Sequence, residues 1–336
     1  MLINDQNYLE IVNDIKTRIA EAQRGAVLSA MKELNILYWN IGKIVNEKNV
    51  WGSKFVDNLS RDIKLSFPKV QGYSPRNLRY MAKFNEIFPD FQILQRALQN
   101  LPWRTNIAII DKIKNPDEML WYAHEAAKNG WSRNLLVHQI ELELYKRQVL
   151  AHKVTNFDLQ LPPPQSELVE QAIKDPYIFE VVALKPLKHE RDVEDALVQS
   201  VTNLLLEFGT GFAFIKNQYH IQVGEQDFYI DLLFYNLELR CYFVIELKSG
   251  NFDPRDAGQL NFYCSAIDGL LKKKHDNDTI GLLLCKDKDN MVAEYALRKI
   301  NSPIGVAEYK IINKLPKELE NVLPSAEDIK TRIKFE

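Results

Sequence analysis

Cysteine is scarce: Cys241, Cys264 and Cys285 are all the chain contains. They sit in or beside apolar segments, have no metal-ligand spacing and offer no disulfide framework, so a reducing, cytoplasmic setting is expected. Six histidines are scattered and build no zinc or triad motif. His220, in a polar strand, reads as structural. No apolar run reaches transmembrane length, and Asp5, Glu10 and Asp14 break up the start, so neither a membrane span nor a signal peptide is expected. There is no repeat of fixed period and no low-complexity tract. Net charge is only −2, but it is unevenly spread. Residues 1–160 hold 22 Lys/Arg against 17 Asp/Glu, and the remainder holds 21 against 28. The mildly basic first part is the expected nucleic-acid side. What the chain does have is a globular balance, 46% hydrophobic and 26% charged, over 336 residues, enough for two domains.

Residues 1–155 read as a helical domain. Apolar residues recur at three-to-four spacing over Tyr8–Ile19, Ala26–Val45, Trp51–Phe67, Pro75–Phe88 and Ser132–Leu150, with a shorter candidate at Trp103–Ile113. Breakers stand between them: Gly52, Pro68, Gly72, Pro89, Pro102, Pro116 and Asn129-Gly130. Trp51–Phe88 is the most suggestive stretch. A helix and a short turn with glycine lead into a second helix, capped by Ser74 and opened by Pro75, whose first turns carry Arg76, Asn77 and Arg79. That order is similar to a helix-turn-helix reader, and these side chains suit phosphates and base edges. An ordinary solvated helix in an assembly module is the other reading. Leu161-Pro162-Pro163-Pro164-Gln165 marks a stiff linker over residues 156–170. Residues 171–314 follow as a domain of alternating strands and helices with a mixed sheet. These are helices at Ser166–Ile173, Glu190–Phe208 and Met291–Ile300, and strands at Phe212–Ile215, Tyr219–Val223, Ile280–Cys285 and Gly305–Ile311. Residues 315–336 read as a charged tail.

Function is most legible between Phe228 and Tyr263. Phe228–Tyr235 and Cys241–Ile245 are apolar runs separated by turn-like residues, a buried hairpin. The first strand carries Asp231, and the second runs into Glu246-Leu247-Lys248. Side chains alternate faces, so Glu246 and Lys248 share one and Leu247 packs away. With two central residues in the turn, Asp231 opposes Val244 and lies on the face of Glu246; a three-residue turn would break that parity. Buried charges are costly unless paired or bound to metal. Mg²⁺ takes oxygen ligands and needs only one or two carboxylates plus a substrate phosphate. Asp231 and Glu246 supply the carboxylates, and the Leu247 carbonyl is a third donor. Lys248 is placed to orient or deprotonate water or to steady charge on phosphorus. Asp253-Pro254 then starts a helix that puts Gln259 and Tyr263 on one face, where amide and phenol can hold a backbone or a catalytic carboxylate. An Asp and a Glu-x-Lys on neighbouring strands also make ordinary surface ion pairs. Burial of both strands, the order of elements and the following helix set this case apart.

Ile230-Asp231, Glu246-Leu247-Lys248 and Gln259-Leu260-Asn261-Phe262-Tyr263 resemble the PD-(D/E)XK nuclease pattern with the Gln-x-x-x-Tyr helix of its RecB-like branch. Asp227–Tyr235, Gly258–Tyr263 and Thr279–Cys285 are similar to the YhcG family of predicted nucleases, a likeness that covers most of the chain. Ile230 stands where the motif has proline, which is not a ligand. The resemblance implies a restriction-endonuclease-like α/β core, giving an α+β two-domain chain with an all-α amino-terminal domain. It also implies an acid on the preceding helix, matched by Glu194. The expected activity is Mg²⁺-dependent phosphodiester hydrolysis, with Mn²⁺ as a substitute metal. DNA is the expected substrate, cut endonucleolytically by water attack. The rival is a nucleic-acid-binding or complex-assembly protein with a non-catalytic core, and an RNA nuclease is a third reading. Expected partners are nucleic acid and either further copies of the chain or other DNA-processing proteins, with no membrane.

Overall fold

The computed structural model describes residues 6–47, 54–93, 98–181 and 189–313. Its chain divides into two compact units, Met1–Tyr145 and Lys146–Glu336.

The first unit is helical. α1 (Gln6–Glu47) is one continuous helix where the sequence suggested two, since Gly25 sits in open space and forces no break. Then come α2 (Phe55–Ser66), α3 (Pro75–Ile87), the single turn α4 (Phe91–Ile93), α5 (Trp103–Lys112), α6 (Pro116–Lys128) and α7 (Arg133–Glu141). α6 was not foreseen, because Pro116 reads as a breaker. It is instead the first helical residue, with the Asn115 side chain accepting from the Asp117 and Glu118 N–H groups. The helix expected over Ser132–Leu150 ends early. Glu143 turns with φ 53, and a separate short turn follows at Lys146–Leu150. The core gathers Trp39, Phe84, Phe88, Ile109, Tyr122 and Leu136. α1 crosses α3 closely at Gly42, where an added Cβ would stand 2.0 Å from the Met81 carbonyl oxygen.

The second unit holds β1 (Val154–Thr155), α8 (Phe157–Gln160), α9 (Gln165–Ala172), β2 (Tyr177–Val181), α10 (Glu190–Gln199) and α11 (Val201–Phe208). It continues with β3 (Phe212–Val223), β4 (Gln226–Asn236), β5 (Cys241–Leu247), α12 (Pro254–Leu270), β6 (Ile280–Cys285), α13 (Asn290–Leu297) and β7 (Ile304–Asn313). The sheet order is β1-β7-β6-β5-β4-β3, with β2 also on β7. The pairs β5–β6, β6–β7 and β2–β7 are parallel, while β3–β4, β4–β5 and β1–β7 are antiparallel, so the sheet is mixed. Strand alternation sends Phe243, Ile245 and Leu247 to a layer with Val193, Leu197 and Leu204 of α10 and α11. Val244 meets Leu260, Cys264 and Ile267 of α12 on the other side. This is an α/β core covered on both faces.

Residues 156–170 are not a spacer here. Phe157, Leu161 and Val169 are buried in the second unit's core, which anchors the proline run between them. The strand β2 was not foreseen, since its five residues carry no turn signal. β3 is one strand with a bulge between Phe214 and Lys216 rather than two strands. The charged tail at 315–336 lies outside the described residues. Among the described residues, no helix is long and apolar enough to cross a membrane.

Candidate active site

Asp231 and Glu246 come together because of the β4–β5 register. Asn236 pairs with Cys241 and Leu232 with Ile245, so four residues, Leu237–Arg240, form the turn. The two-residue turn considered from sequence is thus corrected, and Val244 faces Leu233 rather than Asp231. An even turn keeps the parity, so Asp231 still shares the face of Glu246. The shift of register brings it level with the Glu246–Leu247 peptide, where Asp231 Oδ2 accepts from the Leu247 N–H at 2.9 Å.

Glu246 is 3% exposed, and its Oε1 has no hydrogen-bond partner. Its Oε2 lies 3.7 Å from Lys248 Nζ, which is 3.9 Å from Asp256 Oδ1 on α12. Burial and then the Asp231 charge push the Glu246 carboxyl up to about 8, against a smaller pull from Lys248. Asp231 is raised too, chiefly by burial, with the Leu247 N–H and Lys248 opposing. Burial pulls Lys248 down, but Glu246, Asp256, Glu190 and Asp231 together leave it above its ordinary value. Glu190, at the start of α10, accepts from the Ser249 N–H at 3.1 Å and so fastens the residue after Lys248.

Glu194 reaches the same place from α10. It is buried, and its oxygens accept from Asn217 Nδ2 at 3.0 Å and Gln218 Nε2 at 2.6 Å. Gln218 Nε2 also donates to Asp231 Oδ1 at 3.2 Å. Burial raises the Glu194 pKa, the two amides draw it back and Asp231 adds to the rise. Gln259 Nε2 donates to the Tyr263 hydroxyl at 3.0 Å, so these two bind each other. Tyr263 is buried with its pKa raised, first by burial and further by the charges of Glu246 and Asp231. Gln218, Asn217, Asp256 and Glu190 went unnoticed in the sequence, where nothing distinguishes them from other polar strand and helix residues.

Among the described residues, no group of three or more His, Cys, Asp or Glu side chains forms a metal cage. Mg²⁺ does not need one, as it keeps several waters and takes one or two carboxylates beside a phosphate. A buried, unpartnered Glu246 oxygen next to Asp231 fits a hard cation, because an unpaired buried acceptor otherwise bears its full desolvation penalty.

In the first unit, Ser74 caps α3 by accepting from the Asn77 N–H. Arg76 and Arg79 are exposed; Arg76 lies over the Tyr80 ring and Arg79 pairs with Asp57 at 3.2 Å. Asn77 does not present its amide outward. It donates to the Gly72 carbonyl and accepts from Trp103 Nε1 at 2.7 Å, so it ties the turn to α5.

Residues 170–324 match the family described as the YhcG PDDEXK nuclease domain, and residues 14–147 match the DUF1016 N-terminal domain. YhcG of Escherichia coli (strain K12), provisionally named a nuclease, is 29% identical over 93% of this chain and 92% of its own length. A solved EndoMS–dsDNA complex shares 14% identity at a TM-score of 0.27, over 40% of this chain and 48% of that one. A repair endonuclease from Pyrococcus abyssi shares 15% at 0.26, over 39% and 50%. Both superpositions are loose, and each spans about half of the solved chain or less.

Proposed function

We propose, from the premise that this chain belongs to the YhcG family of predicted PD-(D/E)XK nucleases, that it is a divalent-metal-dependent endonuclease acting on DNA. The observation that carries this reading is the partnerless Glu246 oxygen, buried beside Asp231 and Lys248. Asp231 and Glu246 are the residues to hold Mg²⁺, or Mn²⁺ in its place, with the Leu247 carbonyl as a further oxygen and Glu194, joined to Asp231 through Gln218, as a third carboxylate. When bound, the cation supplies Lewis acidity and lowers the pKa of a water nucleophile.

The protein's own groups do the rest. Lys248 is surrounded by acids and keeps its proton. It therefore suits stabilising charge on a phosphate oxygen better than removing a proton from water. Tyr263, held by Gln259 and buried in the apolar layer with Leu260 and Cys264, lies within the influence of the Glu246 and Asp231 charges. Asp256 and Glu190 steady the Lys248 strand end. Arg76 and Arg79 are proposed to bind phosphates; Asn77 is already used internally and is not part of that surface.

The test is purified protein with labelled duplex, single-stranded, branched and methylated DNA, and RNA, in Mg²⁺ or EDTA. Internal cutting of DNA that EDTA and Glu246→Ala both abolish is the expected result. DNA binding without cleavage under any metal would favour the non-catalytic rival, and cleavage confined to RNA would move the substrate.

A further inference from the structure

We propose that Gln218 is a positioning residue of this site, its amide tying Glu194 on α10 to Asp231 on β4 and so setting the two carboxylates for one cation. This rests on the nuclease reading above.

The bridge is direct. Gln218 Nε2 donates to Glu194 Oε2 at 2.6 Å and to Asp231 Oδ1 at 3.2 Å. An amide nitrogen has two hydrogens, so both bonds hold at once. The amide is neutral. It eases repulsion between the acids without cancelling the negative charge that attracts a cation, as a lysine would. The remaining oxygens are also held, Glu194 Oε1 by Asn217 Nδ2 at 3.0 Å and Asp231 Oδ2 by the Leu247 N–H at 2.9 Å. Each oxygen has two lone pairs, so a hydrogen bond to it leaves room for a metal. Carboxylates that ligate metals are commonly braced in this way.

The backbone points the same way. β3 pairs Asn217 with Leu232 and Tyr219 with Ile230, which sets Gln218 across from Asp231. The bulge between Phe214 and Lys216 precedes it, and Gln218 itself has φ 42. That region is uncommon for a residue with a side chain, and such outliers persist where the surrounding structure over-determines them. Here the two carboxylates do so.

Mn²⁺ titration calorimetry on the full, metal-free chain tests the role. Gln218→Asn accepts a positive φ more readily but is one methylene too short to bridge. Gln218→Glu keeps the length and loses both donors. Both should weaken Mn²⁺ binding by about tenfold or more, the scale for groups that orient metal ligands. The Gln218→Asn melt in EDTA should stay close to the parent's, while Gln218→Glu, which sets a third carboxylate against Glu194 and Asp231, should melt somewhat lower. Parental Mn²⁺ affinity in both variants overturns the proposal, and so does loss of the fold in both, which would make Gln218 structural. Glu246→Gln is the reference. If it binds Mn²⁺ like the parent, or if the parent binds none, the metal reading itself fails and this inference with it.

Discussion

Glu246 holds its proton to mildly alkaline pH in the metal-free fold, because burial lifts it from an ordinary 4.5 to about 8. The unfolded chain releases that proton near its ordinary value. The stability linked to this group is therefore fully present at low pH and lost as pH rises through about 8. Melts in EDTA should show declining stability from about pH 5 to about pH 9, and Glu246→Gln should flatten the decline. A parent without that slope would mean Glu246 is ionised and paired in solution. Lys248 gives a separable expectation. Lys248→Met keeps the apolar stem and removes the charge, so Mn²⁺ binding should survive while single-turnover cleavage falls ~10²-fold or more. Near-parental cleavage would make Lys248 a strand-end surface residue.

Helix packing offers a matched pair of glycines in α1. Gly42 abuts the Met81 carbonyl, so Gly42→Ala must push α1 off α3 and should destabilise by roughly 1–3 kcal/mol, the range for overpacking. Gly25 has nothing within 4 Å, so Gly25→Ala should stabilise by about 0.5–1 kcal/mol through helix propensity alone. Denaturant midpoints moving in opposite directions would confirm the close crossing; equal shifts would deny it. The same contrast explains why helix boundaries were only partly legible. Gly25 falls between the two helices expected over Tyr8–Ile19 and Ala26–Val45, and Pro116 reads as a breaker. One lies in open solvent inside a helix and the other opens one, and only the neighbouring residues tell these cases apart.

In the whole molecule, the two matched families fall on the two compact units, 14–147 almost entirely on the first and 170–324 wholly on the second. The basic balance of residues 1–160 and the exposed Arg76 and Arg79 make the first unit the expected phosphate-binding side. Replacing both arginines by alanine in the full chain should weaken DNA binding evenly across sequences. It should also lower the slope of log affinity against log salt by about 2, roughly 0.9 for each phosphate that is no longer neutralised. An unchanged slope would leave the first unit as an assembly module.

Local chemistry alone determined the apolar strands around Asp231 and Glu246-Leu247-Lys248, the Asp253-Pro254 helix start and the four-residue spacing of Gln259 and Tyr263. Each depends on periodicity, capping or strand alternation within a few residues. Register was different, because it is set by how chains pair. The four-residue Leu237–Arg240 turn moved Asp231 from Val244 to the Leu247 amide. Glu194 joins Asp231 only through an amide on a third element, more than twenty residues from the first and thirteen from the second. Asn77 looked free in sequence and is spent on Gly72 and Trp103, the latter 26 positions away. Hydrogen bonds that close across such separations leave no periodic trace along the chain, so only the folded structure decides them.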